Sequence, residues 1–456
     1  MKTVRIGSGL GFYGDTWKPV RVTLERGEVQ YIASDHLSEL TLAILQKDRQ
    51  KDPSAGFTKD LVPMLRELWP LAQPRGVRFI LNAGGLNPLG AQQALATAFK
   101  ATGWSARIAA VTGDALGDRL ESLMAQGIPF DHMDTGASIE TVRDRLVFAN
   151  AYLGASPIVD ALGQGADIVI TGRVADAALF LAPLIHEFGW SWQDHDRLAQ
   201  GIVVGHLLEC SGQASGGNFG GDWRSIPDMA HLGFPLAEVS EDGTAVITKA
   251  PGTGGRVSFD TLREQLLYEV HNPHRYLTPD VTVDLGTVSL EDRGNDRVIV
   301  SGATGTAPPE TLKVVGGYSD GHMAQAILGY AWPDALEKAR AAADIIKVQL
   351  AEAKIRADEI VTEFIGYDSL HGPLSDPRHA AELNEVYLRM AIRTPELSHG
   401  DRFNRLFPPL ALSGPPFIGG YGGITPPREL LGIWPTTIRR DLVEPFVSVH
   451  VEEVTP

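Results

Sequence analysis

Short apolar runs alternate with amphipathic ones through the first half of the chain. Val4–Gly7, Val29–Ala33, Val77–Leu81, Arg107–Val111 and Asp167–Thr171 are brief, apolar and closed by polar or glycine-rich turns, which predicts five strands. Helical patterns fill the gaps, over Trp17–Glu25, His36–Lys47, Leu61–Leu71, Leu89–Thr102, Leu116–Gln126 and Ala175–His186. Strands apolar throughout and joined by helical crossovers predict an α/β fold over residues 1–215: a Rossmann-like parallel sheet with helices on both faces. In such sheets ligands bind beyond the carboxyl ends of the strands.

After about residue 215 the pattern changes. Gly216–Gly221 and Ala250–Gly255 are glycine-rich loops, and a helix is expected around Phe259–Val270. Val281–Ser289 and Arg297–Gly302 alternate and read as a hairpin, and Lys313–Val315 as a further strand. A long helix from Pro333 to Ala353, a strand at Ile360–Ile365, a helix at Ala380–Ile392 and a last strand at Val447–Val451 complete an α+β domain over residues 216–456, with a mixed or antiparallel sheet. Phe407–Pro435 is dense in Pro and Gly and reads as an ordered loop or lid anchored by Phe417, Ile418, Tyr421 and Trp434.

The 456 residues suffice for two or three domains with sizeable cores. A net charge of −16 argues against nucleic acid and anionic membranes as partners, so an anionic substrate would need a local cluster of cations or helix N-termini. One cysteine, Cys210, excludes an internal disulfide and any multi-cysteine zinc or iron–sulfur site. With no leader ahead of the first strand and no 18-residue apolar run, the expected location is the cytoplasm, with no membrane span.

The strand ends carry the candidate chemistry. Gly9, Gly11 and Gly14, followed by Asp15 and by Asp35 after the second strand, fit a G-x-G-x-x-G dinucleotide pattern. The same glycines serve any tight strand-to-helix turn, and NAD is not the expected cofactor. Asn82, Gly84, Gly85 and Asn87 follow the third strand, and Asn150 with Tyr152 mark a later turn. Thr171, Gly172 and Arg173 precede Asp176, and the Arg fork suits a carboxylate or phosphate unless it pairs with Asp176. Asp35 and Glu39, four apart, offer an acid, a base or a helix cap.

His206, Glu209 and Cys210 share one face at a helix end, which suits proton transfer or a thiolate nucleophile, or else a buried terminus with an inert Cys. No further ligands at matching spacing point to a metal there. Lys249, Gly252, Thr253 and Gly254 form a loop of phosphate-cradle composition without P-loop order, able to grip a phosphate, a pantetheine arm or a carboxylate, or simply to turn the chain. The run Tyr367–Gly372 is a weaker candidate, and the missing G-x-S-x-G elbow disfavours a serine hydrolase.

Seven blocks in order carry a family resemblance: Gly11–Asp15, Asp35–Thr41, Asn82–Pro88, Asn150–Ala155, Thr171–Arg173, His206–Gln213 and Pro251–Gly255. Together they resemble the acyclic terpene utilisation AtuA-like family over nearly the whole chain. The resemblance implies catabolism of citronellol- and geraniol-type compounds, whose intermediates are branched acyl-CoA thioesters. Longer family members look like fusions with a C-terminal ferredoxin-like domain, which is not expected in this chain. The resemblance therefore implies a small ferredoxin-like partner subunit and a homo- or hetero-oligomer.

The expected function is a hydratase-type lyase on an acyl-CoA or a small branched hydroxycarboxylate. His206, Glu209 and Asp35 would move protons, and Arg173 with the 249–255 loop would hold the anion. The alternatives are a non-catalytic ligand-binding or scaffold subunit, and an NAD-dependent oxidoreductase.

Overall fold

The computed structural model describes residues 2–420 and 423–455, so Tyr421 lies outside the described residues. The chain forms two compact units. The first comprises Met1–Arg143, Val147–Gly316 and Ile433–Pro456, and the second Asp144–Leu146 and Gly317–Gly432.

Five strands of the first unit are those expected from the apolar runs: β1 (Thr3–Ser8), β2 (Tyr31–Ser34), β3 (Arg78–Leu81), β4 (Ala106–Thr112) and, after β5 (Leu146–Ala151), β6 (Ile168–Thr171). They pair in parallel in the order β1-β2-β3-β6-β4. Consecutive residues such as Ile32 and Ala33, Phe79 and Ile80, and Ile168 and Val169 are all buried, so both faces of this core are covered. One face packs on the helices Lys18–Arg26, Leu61–Ala72 and Pro88–Thr102 through Leu24, Leu65, Leu68, Trp69, Leu95 and Phe99. The strand order differs from the 3-2-1-4-5-6 order of a dinucleotide-binding sheet.

The sheet continues past residue 215. Strands β7 (Pro235–Ser240) and β8 (Ala245–Lys249) add to it antiparallel beside β1. Short β9 (Tyr276–Leu277) and β10 (Thr282–Asp284) leave it for a small sheet of their own. The hairpin β11 (Ser289–Asp292) and β12 (Val298–Ser301) then closes one edge against β8. The other edge is the final strand Ser448–Val454, antiparallel to β4. The result is one ten-stranded mixed sheet. Two expectations change with it. The alternation over Val281–Ser289 is split by a 3-10 turn at Leu285–Thr287, and the last strand completes the first sheet rather than a second one.

In the second unit the helix Ala335–Glu352 packs Leu336, Ala339, Ala343 and Ile346 against antiparallel strands at Glu359–Ile365 and Glu385–Thr394. The expected helix over residues 380–392 is therefore a strand from Glu385 on, with only a 3-10 turn over Pro377–Glu382 before it. Alanines and leucines lend the segment helical propensity, but Val386, Leu388, Met390 and Ile392 alternate into the core, and that period of two decides the strand. Among the Phe407–Pro435 anchors, Trp434 is buried and Phe417 is exposed. Among the described residues no helix is long and apolar enough to cross a membrane.

Candidate functional site

Parallel strands release their last residues at one edge, and there the polar turns of β1, β2, β3 and β6 meet. Asp35, just past β2, is buried. Its Oδ1 accepts from Asn82 Nδ2 and from the Leu37 N–H at 3.1 Å, while Asn82 Oδ1 accepts from the His36 N–H at 2.6 Å. Arg173, past β6, is 1 % exposed. Its Nε donates to the Val174 carbonyl at 2.9 Å, Nη1 to the Leu37 carbonyl at 2.5 Å and Nη2 to Asp176. Burial and the neighbouring Asp176 hold the Asp35 carboxyl well above the usual carboxylate range, and burial also raises Asp176 despite Arg173.

A second layer fixes this edge. Asp114 Oδ2 accepts from the Arg173 N–H at 2.8 Å and from Asn150 Nδ2 at 2.7 Å. A Cβ on Gly172 would stand 2.5 Å from that carboxylate, so the position excludes any side chain. The Tyr152 ring lies beneath two cations, Arg173 at 4.3 Å and Lys313 Nζ at 4.7 Å. Its hydroxyl donates to Glu39 Oε1 at 2.7 Å, which also accepts from Lys313 Nζ at 3.0 Å.

The helix His195–Leu208 ends at the same edge. His206 and Glu209 are both buried, with Nδ1 and Oε1 2.9 Å apart. The other ring nitrogen, Nε2, lies 3.2 Å from the Leu266 carbonyl, a pure acceptor, and so carries a proton. Burial opposes the charged imidazole, but Glu209 outweighs it and raises His206. Burial raises Glu209 as well, reinforced by Asp176 and Glu269 and opposed by His206. The pair thus holds one tightly shared proton, and Glu209 Oε2 is buried with no hydrogen-bond partner among the described residues.

Around these groups lies a cleft of about 700 Å³ walled by Gly11, Asp35, Glu39, Tyr152, Arg173, Asp176, Glu209, Cys210, Tyr268, Glu269 and Lys313. The structure thus brings together Asp35, Tyr152, Arg173, Asp176, Glu209, Cys210 and Gly11. Asn82, Asn150, Gly172 and His206 stand one layer behind. Lys313, Tyr268 and Glu269 join them without any local motif to announce it. They come from a late strand and from the turn after a remote helix, and only Glu269's left-handed backbone (φ 59°) marks it as unusual.

Other expectations are corrected. Arg173 is no open anion clamp, because Asp176 and two carbonyls already take its Nε, Nη1 and Nη2. Burial pushes the Cys210 thiol up, the wrong direction for a thiolate nucleophile. Asp35 is spent on Asn82 and Leu37 instead of standing open for a ribose. A Cβ at Gly11 would meet the Cys210–Ser211 backbone at 2.9 Å, so that turn holds chain rather than a pyrophosphate. Gly9 packs on Ser34, and Asp15 folds its own loop by accepting from the Gly11 N–H at 3.1 Å.

Asn87 caps the helix Pro88–Thr102, and Gly84 and Gly85 shape that turn, with the Gly84 N–H donating to the Thr171 carbonyl at 3.0 Å. The 249–255 loop closes on itself away from the cleft. Lys249 Nζ donates to the Thr253 carbonyl at 2.9 Å and pairs with Asp296 at 3.0 Å, while the Gly254 N–H donates to the His231 carbonyl at 2.9 Å and Gly252 (φ 74°) makes the turn. Among the described residues no group of three or more His, Cys, Asp or Glu is placed to hold a metal ion.

A testable electrostatic consequence follows at Glu39. Burial raises its carboxyl, but Lys313 and the Tyr152 hydroxyl outweigh this and bring it down to about 2. A depressed acid stabilises the fold above its unfolded value and loses that contribution as pH falls toward the folded one. In acid-unfolding titrations Lys313→Met is expected to lose less stability than the wild type between about pH 4.5 and 2. Parallel curves would show that the pair is screened by solvent.

The fold and the cleft define a mixed α/β protein with a cleft of titratable side chains at the carboxyl edge of its parallel strands. The family model described as acyclic terpene utilisation family protein AtuA matches residues 4–449, and the chain belongs to that family. No curated protein and no solved structure matches it.

Proposed function

We propose that the protein is an acid–base catalyst of the hydratase (hydro-lyase) type, acting in acyclic terpene catabolism on a branched 3-hydroxyacyl compound. The observation that carries this reading is the facing of two kinds of proton site in one cleft. Asp35 is a buried carboxyl pushed up by burial and by the neighbouring Asp176, which pairs with Arg173, and Glu209 shares a proton with His206 and has Oε2 left over. A raised carboxyl can give a proton and a carboxylate backed by an imidazole can take one, which makes an acid and a base of the two.

In the dehydration direction Glu209 Oε2 takes the proton from the carbon next to the carbonyl. The C–H electrons become the new carbon–carbon π bond, the C–O bond at the β carbon breaks, and the departing hydroxide takes a proton from Asp35 to leave as water. Lys313, 45 % exposed at the side chain, supplies positive charge for the enolate-like oxygen. The 249–255 loop does not border the cleft and so offers it no phosphate cradle. Recognition falls on the acyl end, free or as a thioester.

The test is a panel of branched 3-hydroxy acids and their coenzyme A thioesters incubated with the protein and read by mass for loss or gain of one water. Turnover of a branched member supports the reading. A chain that binds members of the panel yet turns none over is a ligand-binding subunit, and the proposal fails.

A further inference from the structure

A larger cavity, about 920 Å³, opens elsewhere in the first unit, and it contains none of the residues of the acid–base cleft. Asp280 lies in its wall and is 7 % exposed. One carboxylate oxygen, Oδ1, accepts from the Ala155 N–H at 2.9 Å, and the chain approaches so closely that a Cβ on Gly154 would stand 2.4 Å from it. The other oxygen, Oδ2, is buried without a hydrogen-bond partner among the described residues. Such a group is costly unless something donates to it.

Arg440 lines the same cavity and is fixed beside Asp280. Its Nη1 donates to the Pro279 carbonyl at 2.6 Å and the Pro309 carbonyl at 3.3 Å, and its Nε to Glu444 at 2.8 Å. Its Nη2 has no hydrogen-bond acceptor among the described residues. The remaining walls mix apolar Pro157, Ile185, Trp190, Leu312 and Val449 with Ser156, Asp160, Gln164, His186 and Glu444.

We infer that this cavity is a second ligand site, for a small molecule with an apolar tail and a hydrogen-bond donor beside a carboxylate. The donor meets Asp280 Oδ2, the carboxylate meets Arg440 Nη2, and the apolar tail lies along Trp190 and Ile185. An ammonium and a hydroxyl group satisfy the same oxygen, so an amino acid and a hydroxy acid are the two sources of this chemistry. Burial pushes Asp280 up to about 6, against the pull of the Ala155 N–H and Arg440. It is therefore mostly ionised at neutral pH, which favours the ammonium.

The experiment is calorimetric titration of the full chain at neutral pH with L-leucine, 2-hydroxyisocaproate, isocaproate (no donor) and isopentylamine (no carboxylate). L-leucine or 2-hydroxyisocaproate is expected to bind with Kd below about 1 mM, and the two truncated probes at least about tenfold more weakly. Asp280→Asn keeps the acceptor for the Ala155 N–H and is expected to fold and to lose binding about tenfold or more. Val159→Trp, which fills the cavity from its helix, is expected to abolish binding, and Glu209→Gln to leave it unchanged. The inference is overturned if neither full probe binds, if isocaproate binds as tightly as they do, if binding survives both cavity variants, or if Glu209→Gln removes it. That last outcome would place the ligand in the acid–base cleft.

Discussion

Glu209→Gln is expected to lower kcat on the substrate the panel identifies by about two to four orders of magnitude, the usual worth of a positioned proton-transfer group. The variant isolates chemistry from architecture. The new amide would keep an oxygen for His206, whose Nδ1 now lies 2.9 Å from Glu209 Oε1, and the side chain would keep its volume in a buried position. What disappears is the ability of the second oxygen to take a proton. KM is expected to move little, because that oxygen has no hydrogen-bond partner among the described residues and its loss breaks no protein hydrogen bond.

The pH profile gives an independent readout. Burial raises Glu209 above the ordinary carboxylate range, so the wild-type rate is expected to fall on the acid side at a pH above that of a free glutamate, and Glu209→Gln to lack that limb. A Glu209→Gln variant with wild-type kcat and the same acid limb would mean that Glu209 is only the ion-pair partner of His206, and the proton-transfer role would pass to Glu269 or Asp35.

The parts of this site legible in the sequence are those that follow from strand chemistry. Five short apolar runs mark where the parallel strands end, and in a parallel sheet those ends share an edge. Asp35, Asn82 and Arg173 can thus be grouped across more than a hundred residues from the sequence alone. Spacing along a helix end likewise groups His206 with Glu209. It does not reveal which of the two faces the cleft, because that depends on the Leu266 carbonyl and Tyr276, which bury the imidazole from another part of the chain.

Glycine-rich loops mislead for a different reason. The composition of residues 249–255 suits a phosphate, but Lys249 is already spent on Asp296 and Thr253, and composition carries no information about partners. In the sequence Lys313 is only the start of a strand. Its place over the Tyr152 ring is a tertiary fact with no local signal. The 380–392 segment shows the remaining limit, where helical propensity and a period of two disagree and burial decides.

Arg173→Met is expected to cost about 3–5 kcal/mol of stability at neutral pH, the penalty for removing one partner of a buried ion pair. The guanidinium is a hub. It neutralises Asp176, ties down the carbonyls of Leu37 and Val174, and covers the Tyr152 ring at 4.3 Å. Without it Asp176 and Asp35 remain side by side with no buried cation. Both carboxyls are already raised, and losing the charge raises them further, so the folded variant binds protons that the unfolded chain releases. Its stability is therefore expected to recover as pH falls through those raised values toward the unfolded value near 4, narrowing the gap to the wild type.

Urea denaturation at several pH values measures this directly. Arg173→Lys is expected to recover only part of the loss, because one ammonium on a different stem cannot reproduce three planar bonds to Asp176 and two carbonyls. Adding Asp176→Asn to Arg173→Met is expected to return stability, since it removes the stranded charge. A single Arg173→Met variant as stable as the wild type at neutral pH would mean that the edge is held by the Asp114 and Asn82 hydrogen bonds alone, and the acids of the cleft would no longer need a buried cation to account for their arrangement.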